Sequence, residues 1–178
     1  MSGKRILFTA LMLVLSLSFA AQAKKQAVLS LGKGELPDDV ANCEVTLSED
    51  NVEKTGDFSM LLKFTKKGGW AGVDKPKKGG WDNFKTININ IFNPSSKSVD
   101  TLSFMVKGAK MTNTPENRKD WTIPLKPGKN EVKIDLPGQI CNDGKTPLDL
   151  SRLLRWALWG NSDEPEMTVY IQKIWLED

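Results

Sequence analysis

The chain has 178 residues, of which 25 are Lys or Arg, 22 are Asp or Glu and none is His. Without an imidazole base, a Ser-His-Asp or Cys-His catalytic arrangement cannot form. The charges are mixed in sign, with no basic helix or extended basic stripe, so the composition does not favour nucleic-acid binding.

The first 23 residues are typical of a secretory signal peptide. Two basic residues precede the apolar run 6–21, and Ala21-Gln22-Ala23 forms a cleavage site of the small-x-small kind. Because Thr and Ser interrupt the run and it is shorter than the ~20 residues that cross a bilayer, no stable membrane insertion is expected. We therefore expect an exported protein, periplasmic or extracellular, whose mature part, residues 24–178, forms one domain.

The mature part contains short segments in which apolar and polar residues alternate, which is the period of a strand with one buried face. In chain order these segments cover residues 27–31, 43–47, 59–64, 86–92, 101–107, 121–125, 131–136 and 155–159. Turns rich in Gly and Pro separate them, which favours antiparallel pairing. A single helical turn is predicted within residues 148–154, with Asp149 or Ser151 as its cap.

The last strand changes phase between Ile171 and Ile174, at Gln172-Lys173. A β-bulge at this step would keep the apolar residues of both halves on one face. Eight or nine short strands of this kind predict an all-β fold, either a sandwich or a barrel.

Tryptophan is unusually frequent, with six residues against a single tyrosine. Three are expected in the core, namely Trp121, Trp156 and Trp175. Three are expected to be exposed, namely Trp70 and Trp81, which end the two copies of the sequence KKGGW, and Trp159, which precedes a turn. An exposed indole offers an apolar face that suits the C–H face of a sugar ring.

The strand at 86–92 has a polar face that carries Asn88 and Asn90. Their amides supply donors and acceptors for sugar hydroxyls, and the preceding loop is expected to bring Trp70 and Trp81 close to one end of this face. An ordinary solvated surface is an equally good interpretation of the two asparagines.

Five sequences in a fixed order resemble the galactose-binding-domain-like jelly rolls that serve as carbohydrate-binding modules and as accessory domains of secreted glycoside hydrolases. They read VEKTGDFSMLLKF, GGWDNFKTININIFNPS, NRKDWTIPLKPGKNEVKIDLPG, LDLSRLLRWALWG and TVYIQKIWLE. The resemblance implies a two-sheet antiparallel β-sandwich of jelly-roll type that is not an enzyme and binds a glycan weakly. Arg118 matches an Arg of related jelly rolls, where it serves as a fork for hydroxyls or as an ion-pair partner. The predicted ligand-binding residues are Trp70, Trp81, Asn88, Asn90, Arg118 and Trp159.

Domains of this type often hold a structural calcium ion, partly through an Asp in the closing strand. Here Gln172 stands where that Asp is usual. No cofactor is therefore expected, and calcium stays open as an alternative.

Cys43 and Cys141 are the only cysteines, so one intramolecular pairing exists. An exported chain meets an oxidising compartment, and we expect these two residues to form a disulfide, with two unrelated thiols as the alternative. Two thiolates without histidine make an incomplete zinc site.

Two other functions compete with glycan binding. One is a structural or protein-interaction sandwich that docks to another exported protein, and the other is a polysaccharide-degrading enzyme. A large apolar patch would favour the protein partner. A cleft with two facing carboxylates would favour hydrolysis, and a lyase would have to rely on the single tyrosine, Tyr170.

Overall fold

A computed structural model describes residues 23–76, 80–108, 112–160 and 167–178. The predicted signal peptide, apart from its last residue, and residues 77–79 of the second KKGGW copy lie outside these ranges. The strands are β1 (Lys25–Ala27), β2 (Asp39–Ala41), β3 (Cys43–Ser48), β4 (Ser59–Phe64), β5 (Gly69–Asp74), β6 (Thr86–Asn93), β7 (Val99–Lys107), β8 (Arg118–Leu125), β9 (Gly128–Asp135), β10 (Arg155–Gly160) and β11 (Met167–Glu177). Short 3-10 helices cover Leu31–Lys33 and Pro115–Asn117.

The strands form two antiparallel sheets. Sheet A has the order β3-β4-β11-β6-β9, with β1 added beside the C-terminal part of β11. Sheet B has the order β2-β5-β10-β7-β8. The prediction of a two-sheet antiparallel β-sandwich of jelly-roll type is confirmed. No helix in the described ranges is long and apolar enough to cross a bilayer.

The core lies between the inward faces of the two sheets. The alternation in β6 places Ile87, Ile89 and Ile91 there with no exposed surface. In sheet B the central side chain is Phe104, whose ring stacks on three indoles at centroid distances of 6.4, 6.3 and 6.0 Å. These indoles belong to Trp81, Trp121 and Trp156 in that order.

Trp81 is therefore a packing residue, and the prediction that it is exposed is wrong. Only 1% of its surface is accessible, and its backbone N–H donates to the carbonyl of Leu150 at 2.8 Å. The glycines before it suggested a free loop. Instead, Trp81 enters the core, because the free energy gained by burying a large aromatic side chain exceeds the cost of ordering the glycines before it.

The predicted β-bulge is present in β11. Ile171 pairs with Ile91 of β6, whereas Lys173 pairs with Asn90, so the register shifts at Gln172. The bulge returns Ile174 to the core and turns Trp175 outward.

Trp175 thus corrects a second expectation, since it lies half-buried on the outer face of sheet A rather than in the core. The ammonium groups of Lys173 and Lys25 lie over its ring, 5.0 and 5.9 Å from the centroid. Its phase follows from the bulge: if Ile174 and Leu176 face inward, the residue between them faces outward.

Strand β5 was not predicted, because two of its six residues are glycines and its apolar residues are few. Close backbone approach explains both glycines. A Cβ at Gly69 would lie 2.3 Å from the carbonyl oxygen of Asn42, and one at Gly72 would lie 2.2 Å from that of Trp156. Both distances are far below van der Waals contact, so the neighbouring strands pair only with glycine at these positions.

The helical turn predicted within residues 148–154 is absent. Asp149 instead accepts hydrogen bonds from the N–H and the hydroxyl of Ser151, at 2.9 and 2.6 Å. The carboxylate thus stabilises a turn rather than a helix N-terminus, a competition that is usual for Asp.

The predicted disulfide is not formed, and Cys43 and Cys141 are both free thiols. Cys43 lies two residues after β2, which is one edge strand of sheet B. Cys141 lies near β8, the edge strand on the other side, because the backbone N–H of Asn142 donates to the carbonyl of Arg118. Four strand intervals of about 4.8 Å separate these edges, about 19 Å in all. A disulfide needs Cα atoms roughly 4.4–6.8 Å apart.

Candidate functional site

The outer face of sheet B carries three rows of side chains, each running across neighbouring strands in register. The indole row contains Ala41, Trp70, Trp159, Ser103 and Thr122. The middle row contains Asp39, Gly72, Ala157, Met105 and Asp120. The charged row contains Asp74, Arg155, Lys107 and Arg118. Residues between the rows, such as Phe104 and Leu158, point into the core and have no exposed surface.

The indole row brings together two tryptophans that are far apart in sequence. Trp70 and Trp159 are direct register partners on β5 and β10, and both are half-buried. The indole N–H of Trp70 donates to a carboxylate oxygen of Asp39 at 3.1 Å, which fixes the orientation of that ring. The two indoles therefore offer adjacent apolar surfaces on one face of the sheet.

A chain of polar contacts connects the indole row to the charged row. Asp39, the acceptor for Trp70, also forms an ion pair with Arg155. The Nε of Arg155 donates to Asp74 at 2.5 Å. Since both carboxylates are bound to one guanidinium, this half of the face is rigidly held.

The other half of the face is formed by Arg118 and Asp120 on β8. Their side chains form an ion pair at 3.1 Å, and the guanidinium carbon of Arg118 lies 5.6 Å from the ring centre of Trp159. Asn142 donates to the same carboxylate at 2.9 Å. Arg118 thus extends from the charged row towards the indole row.

Two buried polar atoms on this half have no hydrogen-bond partner among the described residues, namely Nε of Arg118 and Oδ1 of Asp120. Buried polar groups are normally satisfied. A donor and an acceptor that are both left open are the complement of a hydroxyl, which can accept from one and donate to the other.

The middle row has short side chains at its centre, between the indole row and the charged row. Gly72 and Ala157 have the smallest side chains and face each other across the strands. A Cβ on Gly72 would lie 2.6 Å from that of Ala157, and Met105, beside Ala157, is 8% exposed. Ala157 has no exposed surface and Gly72 is buried, so the longer side chains of the neighbouring rows cover this part of the face.

The structure brings together three of the six predicted ligand-binding residues, Trp70, Trp159 and Arg118. Asn88 and Asn90 face outward as predicted but from sheet A, on the opposite side of the sandwich. Asn88 is 7% exposed and donates to the hydroxyl of Thr86 at 2.9 Å, and Asn90 donates to Glu53. The prediction that they adjoin the exposed tryptophans is therefore wrong.

Sequence reasoning missed the charged residues that complete this face: Asp39, Asp74, Lys107, Asp120 and Arg155. A signal existed for Arg155, since it begins an otherwise apolar strand, and for Lys107, which ends one. The two strands are nearly fifty residues apart in the sequence. Arg155 and Lys107 become neighbours only because β7 and β10 pair in sheet B, and the sequence does not indicate that pairing.

Gln172 occupies the position at which the resemblance expects a calcium-binding Asp. The side-chain amide of Gln172 donates to the carbonyl of Asn51 at 2.5 Å, so this position supplies no carboxylate. Within the part of the chain that the structure describes, no group of three or more acidic or cysteine side chains is arranged to hold a metal ion.

No protein-family model and no curated protein matches the sequence. Solved structures match in fold. The family 11 carbohydrate-binding module of a cellulosomal cellulase from Clostridium thermocellum is 14% identical, with a TM-score of 0.60 over 88% of this chain and 95% of the module. A family 29 carbohydrate-binding module is 9% identical, with a TM-score of 0.52 over 88% of this chain and 92% of the module.

The agarase AgWH50C is 13% identical, with a TM-score of 0.63 over 88% of this chain but only 25% of the enzyme. At these identities the likeness concerns the fold. The protein has the jelly-roll β-sandwich of carbohydrate-binding modules and of accessory domains in glycoside hydrolases, as the sequence resemblance implied.

Proposed function

We propose that the protein is an exported, non-catalytic carbohydrate-binding protein and that the outer face of sheet B holds the glycan. The observation that carries this proposal is the pairing of Trp70 and Trp159 in one row, beside Asp39 and Asp74, which are both held by ion pairs with Arg155. Glycan binding by a module of the same fold supports it, since the family 11 module has been solved with a β-1,3-1,4-mixed-linked tetrasaccharide. The signal-peptide pattern supports export.

Two kinds of contact act together in this proposal. Each indole stacks on a sugar ring and contributes about 1–2 kcal/mol at ~25 cal/mol/Å². The unpaired Nε of Arg118 and Oδ1 of Asp120 are buried and bind hydroxyls once Arg118 moves off Trp159, at about 1 kcal/mol net for each hydrogen bond. After the cost of ordering both partners, the dissociation constant is expected between about a millimolar and tens of micromolar.

Hydrolysis has less support on this face. Two carboxylates of this face, those of Asp39 and Asp74, are both engaged by Arg155. A glycosidase needs one carboxyl group free as an acid and the other free as a base or nucleophile. The single tyrosine, Tyr170, lies on the other sheet with its ring edge-on to Phe92 at 6.4 Å.

A protein-docking function also has less support. The large apolar side chains that are exposed in the described ranges are Val40 and Ile140, at 38% and 42%. Val40 belongs to β2, and Ile140 lies in the connection that contacts β8. The two residues therefore lie at opposite edges of sheet B and do not belong to one apolar patch.

The test is a binding screen on a broad glycan array, followed by titration of Trp70→Ala and Trp159→Ala against the best ligand. Each variant is expected to weaken binding about five- to thirtyfold, which corresponds to the ~1–2 kcal/mol of one indole stack. Trp175→Ala is the matched control, because it removes a half-buried indole from the opposite face. Equal loss in the control, or no binding of any glycan by the wild type, would contradict the proposal.

A further inference from the structure

Lys107 occupies the centre of the charged row. It is the direct register partner of Arg155 on one side and of Arg118 on the other. Three cationic side chains thus lie at opposed positions on adjacent strands. Despite this, only 1% of the surface of Lys107 is exposed.

The carboxylates near this row already have partners. Asp39 and Asp74 both bind Arg155, and Asp120 binds Arg118. Among the described residues, no hydrogen bond or ion pair reaches the ammonium group of Lys107. Its three N–H donors therefore have no partner among the described residues, on a side chain that is otherwise almost completely buried.

A buried ammonium without a partner is strongly unfavourable. Burial, followed by the charge of Arg155, lowers the pKa of Lys107 from its ordinary value, and the nearby Asp74 acts in the opposite direction. An acceptor from outside the chain would offset this cost, and the adjoining indole row indicates where the rest of that molecule would lie.

We propose that the glycan bound on this face is acidic and that the carboxylate of a uronic-acid residue accepts hydrogen bonds from Lys107. The inference rests on the function proposed above and specifies its ligand. A carboxylate has about four lone-pair sites and a full negative charge, whereas a hydroxyl has two lone pairs and no charge. It therefore matches an ammonium with three open donors better, and the open atoms of Arg118 and Asp120 remain for the hydroxyls of the same sugar.

Arg118 controls access to Lys107. Its guanidinium lies over the ring of Trp159 and is paired with Asp120, so its side chain crosses the face beside Lys107. A sugar ring that stacks on Trp159 displaces the guanidinium from the indole. The same movement opens the space next to Lys107, and stacking and carboxylate binding thus occur together.

The experiment compares matched polymers on the mature protein at about 0.15 M salt, where exposed charges are screened beyond about 8 Å. The probes are polygalacturonate and alginate, each beside its carboxyl-reduced form, together with a panel of neutral glycans. We expect an acidic polymer to bind at least about tenfold more tightly than its reduced form.

The outcomes separate the two claims. Equal affinity for acidic and reduced polymers, or binding of neutral glycans alone, overturns the acidic ligand and leaves glycan binding intact. Binding of none of the glycans overturns the proposed function itself.

The variant that tests the residue is Lys107→Met, which keeps the length of the side chain and removes the charge. It is expected to abolish the preference for the acidic polymer and to leave affinity for the reduced form within about twofold. Lys133→Met, which removes an exposed lysine from the outer face of sheet A, is expected to keep the preference. If circular dichroism shows that Lys107→Met is unfolded, Lys107→Gln, which retains a donor without the charge, replaces it. A folded variant with an unchanged preference overturns the role of Lys107.

Discussion

Trp81 and Trp159 lie in different environments, the first in the core and the second at the surface. The ring of Trp81 stacks on Phe104 with an interplanar angle of 11° and is almost completely enclosed. Trp159 lies on the outer face of sheet B, under the guanidinium of Arg118. Loss of the first ring leaves a cavity, whereas loss of the second removes part of the proposed binding face.

Trp81→Ala is therefore expected to lower the free energy of unfolding by about 3–5 kcal/mol, the usual cost of removing a buried large aromatic. Trp159→Ala is expected to lower it by less than about 2 kcal/mol, because a half-buried ring leaves no closed cavity. Urea denaturation followed by circular dichroism measures both values. If Trp81→Ala unfolds within about 1 kcal/mol of the wild type, the side chain is not a core residue in solution.

At the scale of single elements, the bulge in β11 determines which residues reach the core. Before it, Val169 and Ile171 face inward, and after it Ile174 and Leu176 do, all with at most 2% of their surface exposed. The side-chain period of a strand is two, so one extra residue restores the inward phase. Gln172 is that residue.

Deletion of Gln172 is expected to prevent stable folding, because it sends Ile174 and Leu176 to the solvent or forces the strand out of register with β6. Gln172→Ala is the matched control, since it keeps the extra residue and removes only the side-chain bond to Asn51, at a cost of about 1 kcal/mol. Thermal unfolding of the two variants measures the difference. A deletion variant with a wild-type midpoint would show that the bulge does not set the phase.

At the scale of the whole molecule, the β-sandwich holds its two cysteines far apart and raises the pKa values of both thiols. Burial raises the pKa of the Cys43 thiol to about 12, and burial also raises the pKa of Cys141. The thiolate is the reactive form, so burial disfavours reaction of both residues in the folded protein.

Two thiols per chain are expected to react with a thiol reagent after unfolding without reductant, and reaction at pH 8 is expected to be much slower in the native protein. A raised folded-state pKa stabilises the native protein fully below the unfolded value of about 8.5. This contribution is lost as the pH rises through the folded-state pKa of Cys43, about 12. Finding no titratable thiol in the unfolded chain would instead establish the disulfide.

The sequence by itself determined the elements that have a strong period. The alternation in β6 and the change of phase in β11 are local patterns, and both are present as predicted. Strand β5 could not be predicted from a period, because Gly69 and Gly72 are required by the backbones of other strands rather than by their own neighbours.

The candidate site was decided only by the tertiary structure. Trp70 and Trp159 are nearly ninety residues apart, and neither pattern nor spacing indicates that β5 pairs with β10. The same holds for Arg155, Lys107 and Arg118, which form one row because β10, β7 and β8 are neighbours. Local periodicity fixes which face of a strand is buried, but the partner of each strand is chosen by packing over the whole chain, and a site that crosses strands depends on that choice.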